Sequence, residues 1–310
     1  MTSKPGKEQS SAFFINQATI EIEAPAKLNL SLRITGKRPD GYHEIESLFV
    51  PVALYDDLRI SVIQEGIEAS YSGRGLPEGQ NNLVNRAALS FFEETGISKG
   101  AKINLIKRIP VSSGLGGGSS DAAATLRGLN ILWGNPLSKG DLERLALSLG
   151  ADVPFFLLPR PAVAKGIGEI LEPIKDFPDL WYVLVSPNLM VSTAWAYKKF
   201  RLELTDGPNH NIIKISNGAA LNIPDLLFND LEGVTLSKYP FLSSIKASLK
   251  AFGALGALMT GSGPSVFGVF DSEKRAHVAG KALIRQWRRY DVFVVRGLSE
   301  HALVGSPVMR

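Results

Sequence analysis

Apolar and polar positions alternate with a period of two over 18–32, ATIEIEAPAKLNLSL, with one proline inside the run. Such alternation sends successive side chains to opposite faces, so the stretch reads as a strand, a break and a second strand. Lys27 and Asn29, two residues apart, then share a face. Alternation resumes after the turn signal Pro39-Asp40-Gly41, which predicts a hairpin with Tyr42 and His43 directly beyond its turn. Runs at 58–63 and 67–71 predict two further short strands. The period becomes helical over 82–95, stops at Gly96, and returns to a strand over 101–109.

Helices are predicted over 122–132 and from the capping residue Ser138 through 149, with Asp141 in the first turn of the second. GADVPFFLL at 150–158 then reads as a buried strand or turn, with Asp152 wedged among apolar neighbours. AKGIGE within 162–171 is a glycine turn between strands. Strands at 181–187, 254–260, 266–270 and 292–295 alternate with helices at 193–202, 241–252 and 273–289. A polar loop at 206–211 and the segment 226–232 lie between the first of these helices and the second. This is the β-α-β-turn-β-α-β series of a split βαβ domain.

Composition narrows the function classes. The 310 residues suffice for two domains, at roughly 100–200 residues each. Hydrophobic content of 45% and charged content of 21% are those of a globular enzyme. A net charge of +4 suits anionic metabolites and falls short of a nucleic-acid arm or a polybasic membrane patch. The absence of cysteine excludes disulfides, thiol catalysis and thiolate metal sites. His43, His210, His277 and His301 show no metal-ligand spacing. Neither a signal sequence nor a membrane-spanning apolar run is evident, so a cytoplasmic location is expected, with 1–17 as a loosely ordered extension.

The stretch richest in candidate chemistry is PVSSGLGGGSSDAAA, 110–124. Its glycines permit tight turns and close backbone approach, and the helix that follows offers unpaired N–H donors to an anion. It reads either as a phosphate cradle or as a flexible glycine–serine loop, and it matches neither the P-loop nor the dinucleotide fingerprint. Asp121 and Asp152 both stand as carboxylates for such a site, each with helix capping as its plain alternative. Lys27 is either a functional ammonium or a solvated strand lysine. Tyr42 beside His43 is either packing or a platform for a planar heterocycle.

APAKLNLSL at 24–32, PVSSGLGGGSSDAAA, and MTGSGPSVFGVF at 259–270, taken in that order, resemble the GHMP small-molecule kinases. GYHEIESLFVPV at 41–52, GADVPFF at 150–156 and LFNDLE at 227–232 are similar to those members whose acceptor is a cytidine diphosphate polyol. The likeness runs from about Ile20 to Val295. It implies an α+β, two-domain GHMP-kinase fold. The N-terminal ATP-binding domain, 18–170, would be a ribosomal-S5-domain-2-like α/β unit, and the C-terminal domain, 171–310, ferredoxin-like (split βαβ). It implies ATP-dependent phosphorylation of the 2-hydroxyl of a cytidine-diphosphate-linked methylerythritol in non-mevalonate isoprenoid precursor synthesis. ATP and Mg²⁺ are the implied cofactors. The implied partners are small molecules, with no nucleic acid and no membrane, in a monomer or homodimer.

Residue by residue, the resemblance assigns the base to Asp152 rather than Asp121, steadied by Lys27. Pro110, Ser113, Gly114, Leu115, Gly116, Gly117, Gly118, Ser119 and Ser120 would hold the phosphates, with the two last hydroxyls as direct or water-mediated Mg²⁺ contacts. Asn82 and Lys107 would meet adenine. Tyr42 and Tyr197 would sandwich the cytosine and His43 read its edge, with Asn29 and Thr193 nearby, while Gly261, Ser262 and Gly263 would close the floor. A homoserine, mevalonate or sugar kinase is disfavoured by the GYH hairpin, and an RNA-binding module by the lack of arginines interleaved with aromatics. The presence of both Lys27 and Asp152 argues against a catalytically dead relative.

Overall fold

A computed structural model of the chain describes residues 19–73, 82–201, 222–298 and 308–309. The expected extension at 1–17, the polar loop at 206–211, His210 and His301 lie outside the described residues.

The opening alternation forms one strand, β1 (Thr19–Lys37), paired antiparallel along its length with β2 (His43–Ile63). The expected break at Pro25 is instead a register shift between Pro25 and Ala26, where β2 carries extra residues. A bulge of this kind re-aims every later side chain without ending the strand. Before it, Ile20, Ile22 and Ala24 pack into a helix-side core; after it, Ala26, Leu28 and Leu30 pack toward the second sheet. The predicted turn joins the two strands, with Lys37 opposite His43.

β3 (Ile67–Ser72) and β4 (Gly100–Ile106) extend this sheet, in the order β1-β2-β4-β3. Between them α1 (Leu83–Thr95) starts at Asn82, whose side chain accepts the Val84 N–H at 3.0 Å, and stops at Gly96 in the left-handed conformation. Next come α2 (Gly117–Leu132), α3 (Lys139–Leu149) with its Ser138–Asp141 capping box, and α4 (Val153–Leu157). Two expectations change here. α2 begins five residues before the predicted start, so Gly117–Asp121 are already helical. The GADVPFFLL segment forms the short helix α4, with a proline in its first turn where the missing N–H is harmless. β5 (Ala162–Lys165) pairs with β2, and β6 (Ile170–Pro173) with β5.

The remaining elements are β7 (Trp181–Ser186), α5 (Thr193–Lys199), α6 (Ile223–Leu226), β8 (Phe228–Asn229), α7 (Glu232–Lys238), α8 (Phe241–Ala251), β9 (Gly256–Met259), β10 (Val266–Phe270), α9 (Glu273–Gln286), β11 (Asp291–Arg296) and β12 (Val308–Met309). Four of these strands form a separate antiparallel sheet in the order β11-β7-β10-β9, the strand order of a split βαβ unit. Short β8 and β12 return to pair with β1. The molecule is therefore layered helix, sheet, sheet, helix. Leu28, Leu30, Leu48 and Val50 of the first sheet share one core with Tyr182, Leu184 and Phe267 of the second.

Candidate active site

A cavity of about 1300 Å³ opens where β1, the loop before α2, the start of α4, the β1–β2 turn and α5 converge. Most of the residues singled out above line it. Leu115, Ser120 and Gly263 do not. Leu115 is buried and contributes only its carbonyl, which accepts the Lys27 N–H at 2.9 Å. Ser120 turns its hydroxyl inward, where it has no partner among the described residues. Gly263 packs against Met259 and Thr235.

At the centre, Lys27 is 4% exposed. Its ammonium donates to Asn29 Oδ1 at 2.7 Å, lies 3.3 Å from Asp152 Oδ2, and sits 4.4 Å above the Phe49 ring. That is a desolvated and fully engaged cation, unlike a solvated strand lysine. Asp152 precedes α4, yet its side chain makes no capping bond to that helix. Its carboxylate is one-third exposed and faces the cavity.

The loop from Pro110 to Gly116 wraps over Lys27. A Cβ on Gly116 (φ +71°) would come within 3.0 Å of the Lys27 Cγ and 2.9 Å of the Phe156 ring, so only glycine fits this approach. Gly114 (φ +82°) is tighter still, since a Cβ there would stand 2.2 Å from the Thr260 carbonyl oxygen. Ser113 donates its hydroxyl to the Pro110 carbonyl at 2.6 Å, and its own carbonyl accepts the Ser265 N–H at 3.2 Å. α2 then starts without any side-chain cap, leaving its first N–H groups to the cavity. Gly117, Gly118 and Ser119 line that wall.

Asp121 is not the helix-start residue expected from the sequence. It lies inside α2, 3% exposed, and accepts the Lys107 ammonium at 2.7 Å. Burial pushes its pKa up to about 7, Asp56 adds to the shift and Lys107 opposes it. Lys107, expected to meet adenine, commits its ammonium to Asp56 and Asp121, although it still borders the cavity beside Asn82.

On the other side, the His43 and Tyr197 rings lie 5.2 Å apart and tilted by 32°. Burial, with Lys37 as a lesser cause, holds the His43 pKa below its usual value. Burial first, then the charges of Asp152 and Asp230, drives the Tyr197 phenol far up. Tyr42 is exposed at the hairpin tip, and its N–H donates to Asp40 Oδ1 at 3.1 Å. Thr193 and Ser262 share a hydroxyl contact of 3.0 Å that joins α5 to the third glycine-marked segment.

Sequence reasoning missed the bracing behind the wall. The Asn29 N–H donates to Thr260 Oγ1 at 3.0 Å, and its side-chain amide donates to Ser47 Oγ at 2.9 Å. Asn229, in the LFNDLE segment, donates to the Met259 and Gly261 carbonyls at 2.7 and 2.8 Å, while Glu232 accepts the Met259 N–H. The only local hint was that these residues sit in or beside the marked segments.

The GHMP kinases N terminal domain matches residues 82–160 and the GHMP kinases C terminal domain residues 210–289. A 4-diphosphocytidyl-2-C-methyl-D-erythritol kinase from Syntrophotalea carbinolica is 45% identical, over 87% of this chain and 96% of its own. One from Geobacter sp. strain M21 is 44% identical, over 89% and 98%. A crystal structure of 4-(cytidine 5'-diphospho)-2C-methyl-D-erythritol kinase superposes with a TM-score of 0.75 at 39% identity, covering 90% of this chain and all of that one. A homoserine kinase from Cytophaga hutchinsonii shares the fold, with a TM-score of 0.73 at 20% identity over 99% of this chain. The chain belongs to the GHMP kinases, and within them to the 4-diphosphocytidyl-2-C-methyl-D-erythritol kinases.

Proposed function

We propose that the chain transfers the γ-phosphoryl group of ATP to the 2-hydroxyl of 4-(cytidine 5'-diphospho)-2-C-methyl-D-erythritol, giving the 2-phosphate and ADP. One observation carries this reading. A single cavity sets the Lys27–Asp152 pair between an uncapped helix start and an aromatic pair. Phosphoryl transfer is mostly positioning and charge stabilisation, and each part has a place here. The N–H groups at the start of α2 face the phosphates. Asp152 orients the acceptor hydroxyl and takes its proton, while Lys27 meets the charge on the transferring group. Tyr42, His43 and Tyr197 hold the cytosine, and Asn29 and Thr193 the polyol side.

Mg²⁺ would neutralise phosphate charge in this site. Among the described residues no cluster of acidic or histidine side chains forms a protein cage, and of the two serines at the start of α2 only Ser119 lines the cavity. Ser119, beside the uncapped start of α2, would reach such a cation directly or through water, with phosphate oxygens and water as its other ligands.

The test supplies ATP, Mg²⁺ and the cytidyl substrate and follows the 2-phosphate by phosphorus NMR. Asp152→Asn is expected to lower kcat by about 100-fold or more with little change in either KM. Tyr42→Ala is expected to raise KM for the cytidyl substrate and leave KM for ATP unchanged. Absence of product from the unaltered chain would overturn the reading.

A further inference from the structure

Asp56 lies on β2, fully buried, and its neighbour Asp57 reaches the surface to pair with Arg108. Asp56 Oδ1 accepts two backbone N–H groups, from Arg108 at 2.6 Å and Ile109 at 2.8 Å. Oδ2 accepts the Lys107 ammonium. The same ammonium donates to Asp121 Oδ2 in α2 and lies directly behind the first residue of that helix, 2.7 Å from where a Cβ of Gly117 would stand. The glycine-rich loop, Pro110 to Gly116, runs between these two attachments. One carboxylate thus holds the strand exit on one side of the loop and, through Lys107, the helix entry on the other.

Burying two carboxyl groups and one ammonium is a poor way to gain stability, since apolar side chains of similar volume do as well or better. Excess negative charge behind a polyphosphate site also brings no attraction to the ligand. What the cluster does supply is a fixed separation and direction for the two ends of the loop.

We propose that Asp56 is a positioning residue for the nucleotide triphosphate, holding both ends of the glycine-rich loop in the geometry that receives it. The inference rests on the kinase reading above and adds to it a residue that never touches a substrate.

Asp56→Asn tests it. The amide keeps the shape and one oxygen for the Arg108 and Ile109 N–H groups, but it sets a donor against the Lys107 ammonium. KM for ATP is expected to rise about tenfold while KM for the cytidyl substrate stays within about twofold. Calorimetry with a non-hydrolysable ATP analogue is expected to show the same loss of affinity. If this variant does not fold, Asp121→Ala takes its place. It frees the helix end of the loop, leaves Asp56 on the strand end, and carries the same ATP-selective expectation. A folded variant with unchanged ATP affinity would overturn the proposal, as would one in which both KM values rise together, the mark of a loosened cavity. An unaltered chain without turnover would overturn the kinase reading alone, and the calorimetry would still decide the role of Asp56.

Discussion

Thr260 has no exposed surface, and its hydroxyl joins segments that are far apart in the sequence. It accepts the Asn29 N–H at 3.0 Å and lies 3.3 Å from the Gly114 carbonyl. Thr260→Val keeps the volume and removes the acceptor, stranding a buried N–H. Urea unfolding is expected to show a loss of about 1–3 kcal/mol, largely restored by Thr260→Ser. At the same scale, Lys27 depends on Phe49 and Asn29 for a position that its own sequence neighbours do not dictate. A strand lysine reads as solvated until the partner strand places an aromatic ring under it. Asp56 and Asp57 are likewise indistinguishable as letters, and only the strand pairing buries the first and exposes the second.

Among the elements, those bounded by local chemistry were legible in the sequence. α1 is set by Asn82 and Gly96, α3 by its capping box, and the hairpin by Pro39-Asp40-Gly41. α2 and α4 were not, because their starts depend on distant contacts. α2 begins among glycines that no propensity favours, and Lys27, Phe156 and Lys107 press against those glycines. Gly116→Ala is therefore expected to displace Lys27 and lower kcat by about tenfold or more in steady-state assays. α2 also carries a pH signature through Asp121, whose pKa rises from 3.8 to about 7 on folding. Between those values the folded chain holds more protons at this site than the unfolded one, so stability from it falls as pH rises. Asp121→Asn is expected to flatten the pH dependence of Tm between about pH 4 and 7, measured by thermal unfolding across that window.

At the scale of the molecule, the two sheets are bound by a shared core rather than by a surface contact. Leu28, Leu30, Leu48 and Val50 meet Tyr182, Leu184 and Phe267, and β8, from the C-terminal half of the chain, pairs with β1 of the first sheet. The full chain is expected to unfold in one calorimetric transition, and a fragment covering 19–173 to show no cooperative unfolding of its own, because its inner face would lie open to water. The register shift after Pro25 has a consequence for how such a chain can change length. Loops on its surface can gain or lose residues with local effect. At the shift the count of residues is itself information: removing one between Pro25 and Lys27 would turn each later side chain of β1 to the opposite face. Lys27 and Asn29 would be driven into the apolar core and Leu28 and Leu30 into the cavity. Lineages carrying this fold can therefore vary in length in many places, but there a single lost codon would act like a dozen simultaneous substitutions, roughly one for each residue left in the strand.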